Sequence, residues 1–275
     1  MIPDKTNILT PAKLNIFLKV LGKRKDGYHN LFTGVTFINL YDVIEIKKSD
    51  KTKIIYKGPF KPASNFYKDC IIKKTLNSFD LLNEIKLKIT IIKNIPVQGG
   101  LGSASTNAAS IIKWLEKMKL IPKKKLENYV KLGSDIPCCL YQKNCIVMGT
   151  GEKIYPKNFP KYYFLLLKPN FSHSTKKMYN KLNVKKNSNN QNLYLNKKKI
   201  EGNDFEKIVF KENKKFKEIF NYVQNIDNVI FTRMTGSGSC IYAAFKKKEY
   251  AINANKIFKN KFKNLWSIVC ENNIP

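Results

Sequence analysis

Between residues 96 and 109 the chain reads Pro-Val-Gln-Gly-Gly-Leu-Gly-Ser-Ala-Ser-Thr-Asn-Ala-Ala, and this run of small residues restricts what the segments around it can become. Upstream, Ile85, Leu87, Ile89 and Ile91 alternate with polar residues, the period of a strand with one buried face. Downstream, Ala108, Ile111, Ile112, Leu115 and Met118 recur at helical spacing. The small residues therefore fill a strand-to-helix turn. Gly99, Gly100 and Gly102 lack the Cβ that would keep a ligand away from the backbone. A helix opening at Ser103 to Thr106 aims unpaired N–H groups and the positive end of its dipole at the same place. Ser103, Ser105 and Thr106 add hydroxyls that can donate to a phosphate or ligate Mg²⁺. The turn reads as an anion cradle, although the same glycines also suit a tight corner with no ligand. No Gly-Lys-Ser/Thr follows, and the spacing Gly-x-Gly-x-x-Gly is absent, so it is neither a Walker A loop nor a dinucleotide fingerprint.

With 275 residues, 43% of them hydrophobic, the chain can bury the core of one large or two modest domains. It contains no apolar run of the roughly 18 residues a membrane span needs, and Met-Ile-Pro-Asp-Lys-Thr lacks the regions of a signal peptide, so a cytoplasmic protein without a membrane partner is expected. Cys70, Cys138, Cys139, Cys145, Cys240 and Cys270 form no Cys-x-x-Cys pair and sit among apolar residues; they read as reduced, buried thiols.

The formal net charge of +31 is that of a nucleic-acid binder and must be weighed as one. Of the 51 basic residues, however, only Arg24 and Arg233 are arginine; the rest are lysines spread through every segment. Base readers favour arginine for bidentate contacts, and RNA binders place stacking aromatics among their basic residues. Neither pattern is present, so no specific nucleic-acid partner is expected. The lysine runs at 123–125, 197–199 and 246–248 read as solvated faces.

Along the chain, residues 12–21 alternate as a strand that places Lys13 and Asn15 on one polar-leaning side. A charge-rich turn over 22–30 ends in Tyr28 and His29. Strands over 35–40, 42–47 and 53–57 suggest a meander. Helices are expected over 65–76, 105–120 and 123–132, the last stopped by Gly133. Ser134 and Asp135 in Ser-Asp-Ile-Pro have the chemistry of helix caps. Further strands are read over 145–148, 164–167, 229–232, 241–245 and 266–270, with helices over 205–224 and 249–262. Gly236-Ser237-Gly238 forms a turn between two strands, and the Asn- and Lys-rich residues 180–204 read as a mobile connection with little chemistry.

Pro96-x-x-x-Gly100-Leu101-Gly102-Ser103-x-Ser105 resembles the nucleotide loop of the GHMP small-molecule kinases. Pro11-Ala12-Lys13-Leu14-Asn15, Leu132-Gly133-Ser134-Asp135-Ile136-Pro137 and Arg233-Met234-Thr235-Gly236-Ser237-Gly238-Ser239-Cys240 resemble further motifs of that family, in order and over nearly the whole chain. Asp26-Gly27-Tyr28-His29 resembles the branch whose alcohol substrate is a cytidine diphosphate-linked methylerythritol.

The resemblance implies an α+β fold of two domains: a ribosomal-protein-S5-like N-terminal domain over 1–156 and a ferredoxin-like C-terminal domain over 157–275. It implies ATP and Mg²⁺ as cofactors, with ATP on Pro96, Val97, Gln98, Gly99, Gly100, Leu101, Gly102, Ser103, Ala104, Ser105, Thr106 and Asn107. Gln98 and Ala104 stand where this branch carries more glycine. Lys13 and Asp135 would be catalytic. Asn15, Tyr28, His29, Thr175, Tyr179, Gly236, Ser237 and Gly238 would bind the small-molecule substrate, Tyr28 and His29 at its cytosine. The protein would act as a monomer or homodimer. A mevalonate- or homoserine-type kinase is the alternative within the family, and a basic nucleic-acid-binding protein the alternative outside it.

Overall fold

Two long antiparallel strands organise the N-terminal half of the computed structural model, which describes residues 3–63, 70–172, 174–182 and 202–272. Strand β1, Lys5–Lys23, runs the length of β2, His29–Lys48, from Lys5 opposite Lys47 to Lys23 opposite His29. The other edge of β2 is shared: residues 43–48 pair with β4, Leu87–Ile92, and residues 31–35 with β5, Cys145–Gly149. Strand β6, Lys153–Pro156, folds back on β5.

The expected meander does not form. Residues 35–47 belong to the one strand β2, and β3, Lys53–Lys57, pairs in parallel with β4 instead. Burial explains the order. Leu87, Ile89 and Ile91 of β4 each lose nearly all their exposure, whereas every residue of β3 stays at least partly exposed, so the more apolar strand takes the interior and β3 the edge. Helices α1, Ile71–Asn77, α2, Ser103–Lys117, and α3, Ile136–Tyr141, cover one face of this sheet, with a 3₁₀ turn over Leu126–Leu132 where a full helix over 123–132 was expected. Their core includes Ile44, Ile46, Ile111, Ile112 and Leu115. The expected start of the first helix, at 65–69, lies outside the described residues.

The chain passes to a second sheet between Pro156 and Tyr163, next to the division expected at residue 156. That sheet has the order β10 (Trp266–Glu271), β7 (Tyr163–Lys168), β9 (Ile241–Phe245), β8 (Phe231–Met234), all antiparallel. Helices α4, Thr175–Lys181, α5, Glu206–Glu212, α6, Lys214–Gln224, and α7, Lys248–Lys261, complete this half. The helix read over 205–224 is two: the chain turns at Asn213, whose side chain accepts from the Phe216 N–H and caps α6. Leu14, Ile38 and Leu101 pack against Phe164, Leu166 and Tyr242, so the two sheets share a buried seam. All six cysteines are buried with free thiols.

Residues 183–201 of the expected connection lie outside the described residues, but residues 202–204 are not loose. Leu18 N–H donates to the Gly202 carbonyl at 3.0 Å, Val20 N–H to Asp204 Oδ2 at 2.8 Å, and Asn203 is 4% exposed. The segment closes onto the free edge of β1, and its polar composition conceals that.

Candidate active site

The small-residue turn is built as expected in outline and differently in detail. Helix α2 begins at Ser103 with Gly102 before it in a left-handed conformation (φ +66°), and no side chain caps it. Its first-turn N–H groups therefore lack both an intrahelical partner and a side-chain one. The glycines, however, make room for protein rather than for a ligand. A Cβ on Gly102 would stand 2.5 Å from Cγ of Lys13, one on Gly99 would stand 2.5 Å from the Cys240 sulfur, and one on Gly100 would collide with the Thr235 carbonyl. The turn is thereby zipped to the Gly236 turn: Cys240 N–H donates to the Gly99 carbonyl at 3.0 Å and the Thr235 hydroxyl to the Gly100 carbonyl at 3.1 Å. That second turn joins β8 to β9, so it is both a hairpin corner and part of the site.

The three hydroxyls also divide. Ser103 turns inward and donates to buried Asp42 at 2.8 Å, and Thr106 donates to the Ser103 carbonyl at 3.0 Å. A fully buried carboxylate outcompetes the cleft for Ser103, and helix geometry claims Thr106. Ser105 remains partly exposed with no side-chain partner among the described residues. Leu101 and Asn107 are buried as well, Leu101 in the seam between the sheets and Asn107 bonded to Thr10 and Asp42. Val97, Gln98 and Ala104 are exposed, and Gln98 holds φ +52°, where glycine is ordinarily favoured.

Lys13 and Asn15 do share a face of β1, but that face is buried: both are 3% exposed. Lys13 Nζ donates to Asn15 Oδ1 at 2.9 Å and lies 3.2 Å from Asp135 Oδ2. Burial is the largest single influence and disfavours the ammonium, yet Asp135 together with Cys138 and Cys139 outweighs it, so the pKa of Lys13 lies above the ordinary lysine value. Asp135 occupies the N-cap position of α3 without making a capping bond, and its carboxylate faces Lys13 instead. Asn15 Oδ1 also accepts the Gly236 N–H at 3.1 Å, and its amide donates to Thr33 at 2.8 Å. Four motifs far apart in sequence thus meet at one cavity of about 230 Å³, lined by Lys13, Asn15, Gly100, Gly102, Asp135, Thr175, Tyr179, Gly236 and Ser237.

On the far side of the cavity the Thr175 and Ser237 hydroxyls are 2.8 Å apart, which joins α4 to the Gly236 turn. Tyr179 stacks on His29 with ring centroids 4.9 Å apart and an angle of 28°. Burial pushes the Tyr179 hydroxyl pKa up and the His29 pKa down, Lys23 adding to the second effect. Tyr28 is 64% exposed, and neither it nor His29 is among the residues lining the cavity. Gly238 donates its N–H to the Thr235 carbonyl at 3.0 Å and shapes the turn from behind.

Sequence reasoning missed two groups. Asn203 donates to the carbonyls of Met234 and Gly236 at 2.8 and 2.7 Å and so fixes the second glycine turn. Behind α2, Asp42 pairs with Lys93, both buried. The Asn after Gly202 and the Lys before Asn-Ile-Pro were their only signals, and both are lost in a chain rich in those residues.

Comparison with known proteins follows the same lines. Residues 66–143 match the family described as GHMP kinases N terminal domain, and residues 184–264 that described as GHMP kinases C terminal. The 4-diphosphocytidyl-2-C-methyl-D-erythritol kinase of Pelagibacter ubique is 36% identical over 273 residues, spanning 94% of this chain and 95% of the relative. That of Francisella philomiragia is 36% identical over 248 residues, 87% of each chain. Among solved structures, a 4-(cytidine 5'-diphospho)-2C-methyl-D-erythritol kinase matches with a TM-score of 0.73 at 21% identity, over 96% of this chain and 99% of that one. At that identity the likeness establishes the fold: two α+β halves about a shared cleft.

Proposed function

The chain belongs to the GHMP kinases, in their 4-diphosphocytidyl-2-C-methyl-D-erythritol kinase branch, and on that premise we propose how its cleft moves the terminal phosphoryl group of ATP to the 2-hydroxyl of 4-diphosphocytidyl-2-C-methyl-D-erythritol, a step of isoprenoid biosynthesis. The observation that carries the reading is the meeting of Lys13 and Asp135, 3.2 Å apart, beside Gly102 at the uncapped start of α2.

Phosphoryl transfer asks a protein for positioning and charge neutralisation rather than for covalent chemistry. The first-turn N–H groups of α2 and the Ser105 hydroxyl hold the phosphates of ATP; uncapped donors and a hydroxyl with no side-chain partner among the described residues suit such a polyanion. Ser105 would also be a ligand for Mg²⁺, which when bound would supply positive charge to neutralise the phosphates. Asp135 accepts the proton of the acceptor hydroxyl as its oxygen bonds to phosphorus and the bond to the departing ADP oxygen breaks. Lys13, kept charged, stabilises the negative charge that develops between them. Asn15 fixes Lys13 and the Gly236 turn through one oxygen. His29 and Tyr179, with Tyr28 beside them, take the cytosine end by stacking and by hydrogen bonds to its polar edge. Thr175 and Ser237 bridge the substrate's middle, and residues 1–156 and 157–275 act as the two walls.

Turnover measured by coupled ADP release against the cytidyl alcohol, mevalonate and homoserine tests the reading. ADP release with the cytidyl alcohol alone is expected. Equal or better turnover with mevalonate or homoserine overturns the assignment.

A further inference from the structure

Asp42 lies in the middle of β2, opposite Thr10, with no exposure at all. Its two oxygens serve different segments. Oδ1 accepts the N–H groups of Asn94 and Ile95 at 2.8 and 2.9 Å, the two residues that lead into Pro96. Oδ2 accepts the Ser103 hydroxyl at 2.8 Å, the Asn107 amide at 3.2 Å and the Lys93 ammonium, which also donates to Ser103. One carboxylate therefore grips both arms of the glycine turn, the segment that leads into it from β4 and the start of α2. Neither Asp42 nor Lys93 lines the cavity.

A buried ion pair is a costly way to obtain stability, since desolvating both ions offsets much of their attraction and an apolar pair of similar volume serves as well or better. What an ionised carboxylate offers here is five directed acceptances at one point. Its drawback is a negative charge beneath a site for polyphosphate. The Lys93 ammonium, bonded to the same oxygen and to Ser103, cancels that charge where it arises.

We propose that the Asp42–Lys93 pair is a positioning element of the ATP site, fixing both arms of the glycine turn while keeping the ground beneath the phosphates electrically neutral. The proposal rests on the kinase reading, and it concerns ATP and not the cytidyl substrate, whose side of the cleft the pair does not reach.

Calorimetric titration of Mg-ATP, and separately of the cytidyl substrate, into wild type and three variants tests it, with thermal melting alongside. Ser103→Ala removes the link from the pair to the first residue of α2 and leaves the Asn107 bond and both charges; it should melt near wild type and bind ATP about 3- to 10-fold more weakly, the span of one hydrogen bond. Lys93→Met leaves the carboxylate uncompensated and should weaken ATP on the order of tenfold or more. The double variant Asp42→Asn/Lys93→Met removes both charges and should bind ATP better than Lys93→Met does. Affinity for the cytidyl substrate should stay unchanged throughout. A staple that serves only the fold would lower melting temperatures and leave ATP affinity alone, or weaken both ligands together; either result overturns the proposal. If Lys93→Met does not fold, Ser103→Ala still decides, because wild-type ATP affinity in that variant overturns it. A wild-type protein that binds ATP and shows these differences, yet never phosphorylates the cytidyl alcohol, refutes the kinase reading while supporting the positioning role.

Discussion

Lys13 reaches from β1 to Asp135 at the head of α3, Nζ to Oδ2 at 3.2 Å, with 4% of the lysine side chain exposed against 43% of the aspartate's. The inequality separates their roles. The ammonium is held by Asn15 and by the stem packed under Gly102, whereas the carboxylate keeps one side exposed.

Replacing that carboxylate should therefore cost chemistry and not folding. Asp135 makes no capping bond, and asparagine caps about as well as aspartate in any case. Asp135→Asn should melt near the wild-type temperature and bind both substrates, yet lose about 10² to 10⁴ in kcat. Lys13→Met should fall similarly, and the double variant should lose less than the product of the two, since groups acting as a unit are not additive. An Asp135→Asn enzyme with most of its kcat intact sinks the assignment.

Gly102 offers a second approach to the same lysine. Its φ of +66° costs a side chain about 1–2 kcal/mol, and an added Cβ would press on Lys13 Cγ from 2.5 Å. Gly102→Ala should lower the melting temperature modestly and reduce kcat by moving Lys13 away from Asp135, with a smaller effect on the KM for ATP. A variant that loses ATP affinity but keeps kcat would mean that this glycine makes space for phosphate, as its sequence first suggests, and not for Lys13.

Ser105 is the hydroxyl of the turn left without a side-chain partner among the described residues, whereas Ser103 and Thr106 are claimed from within. Ser105→Ala breaks nothing in the ligand-free fold, so its melting curve should match wild type. Its affinity for Mg-ATP should drop about 10- to 100-fold, the range for a hydrogen bond to a charged group. Wild-type affinity by calorimetry would remove Ser105 from the phosphate site.

How much of this was legible in the sequence depended on whether the signal was local. Alternation of Leu87, Ile89 and Ile91 and the small residues after Pro96 specified a strand, a turn and a helix, because backbone period and missing side chains act at short range. The parallel pairing of β3 with β4 carried no such mark; it follows from which strand buries more apolar surface, a comparison between distant segments. The inward turn of Ser103 is set by Asp42, 61 residues away. Lys93 and Asn203 were hidden differently: each is a residue type so common in this chain that position alone could not distinguish a buried, bonded copy from a solvated one. Tyr28 and His29 were singled out by their motif, but nothing local marked that His29 would stack on Tyr179, which a distant helix supplies.

His29 supplies the pH dependence. Burial lowers its pKa below the usual imidazole value of about 6.5, and the charge of Lys23 lowers it further. The folded ring thus stays neutral at pH values where the unfolded chain has already taken up a proton. As pH falls below about 6.5 the unfolded state binds the extra proton first, so stability declines until the folded ring also titrates. Above that range the group no longer contributes to pH dependence. A neutral ring with one donor and one acceptor can pair with the polar edge of cytosine, whereas the protonated ring has two donors and no acceptor. The profile of kcat/KM for the cytidyl substrate should therefore be level above about pH 6.5 and fall only at lower pH, while the KM for ATP stays put. His29→Ala should raise the KM for the cytidyl substrate by about one hydrogen bond's worth, ~1 kcal/mol or more, and remove the acidic rise in that KM, leaving only the fall in kcat that protonation of the base imposes. An acidic rise in the KM for the cytidyl substrate that persists in His29→Ala, or an equal loss for ATP, would show that the histidine only supports Tyr179.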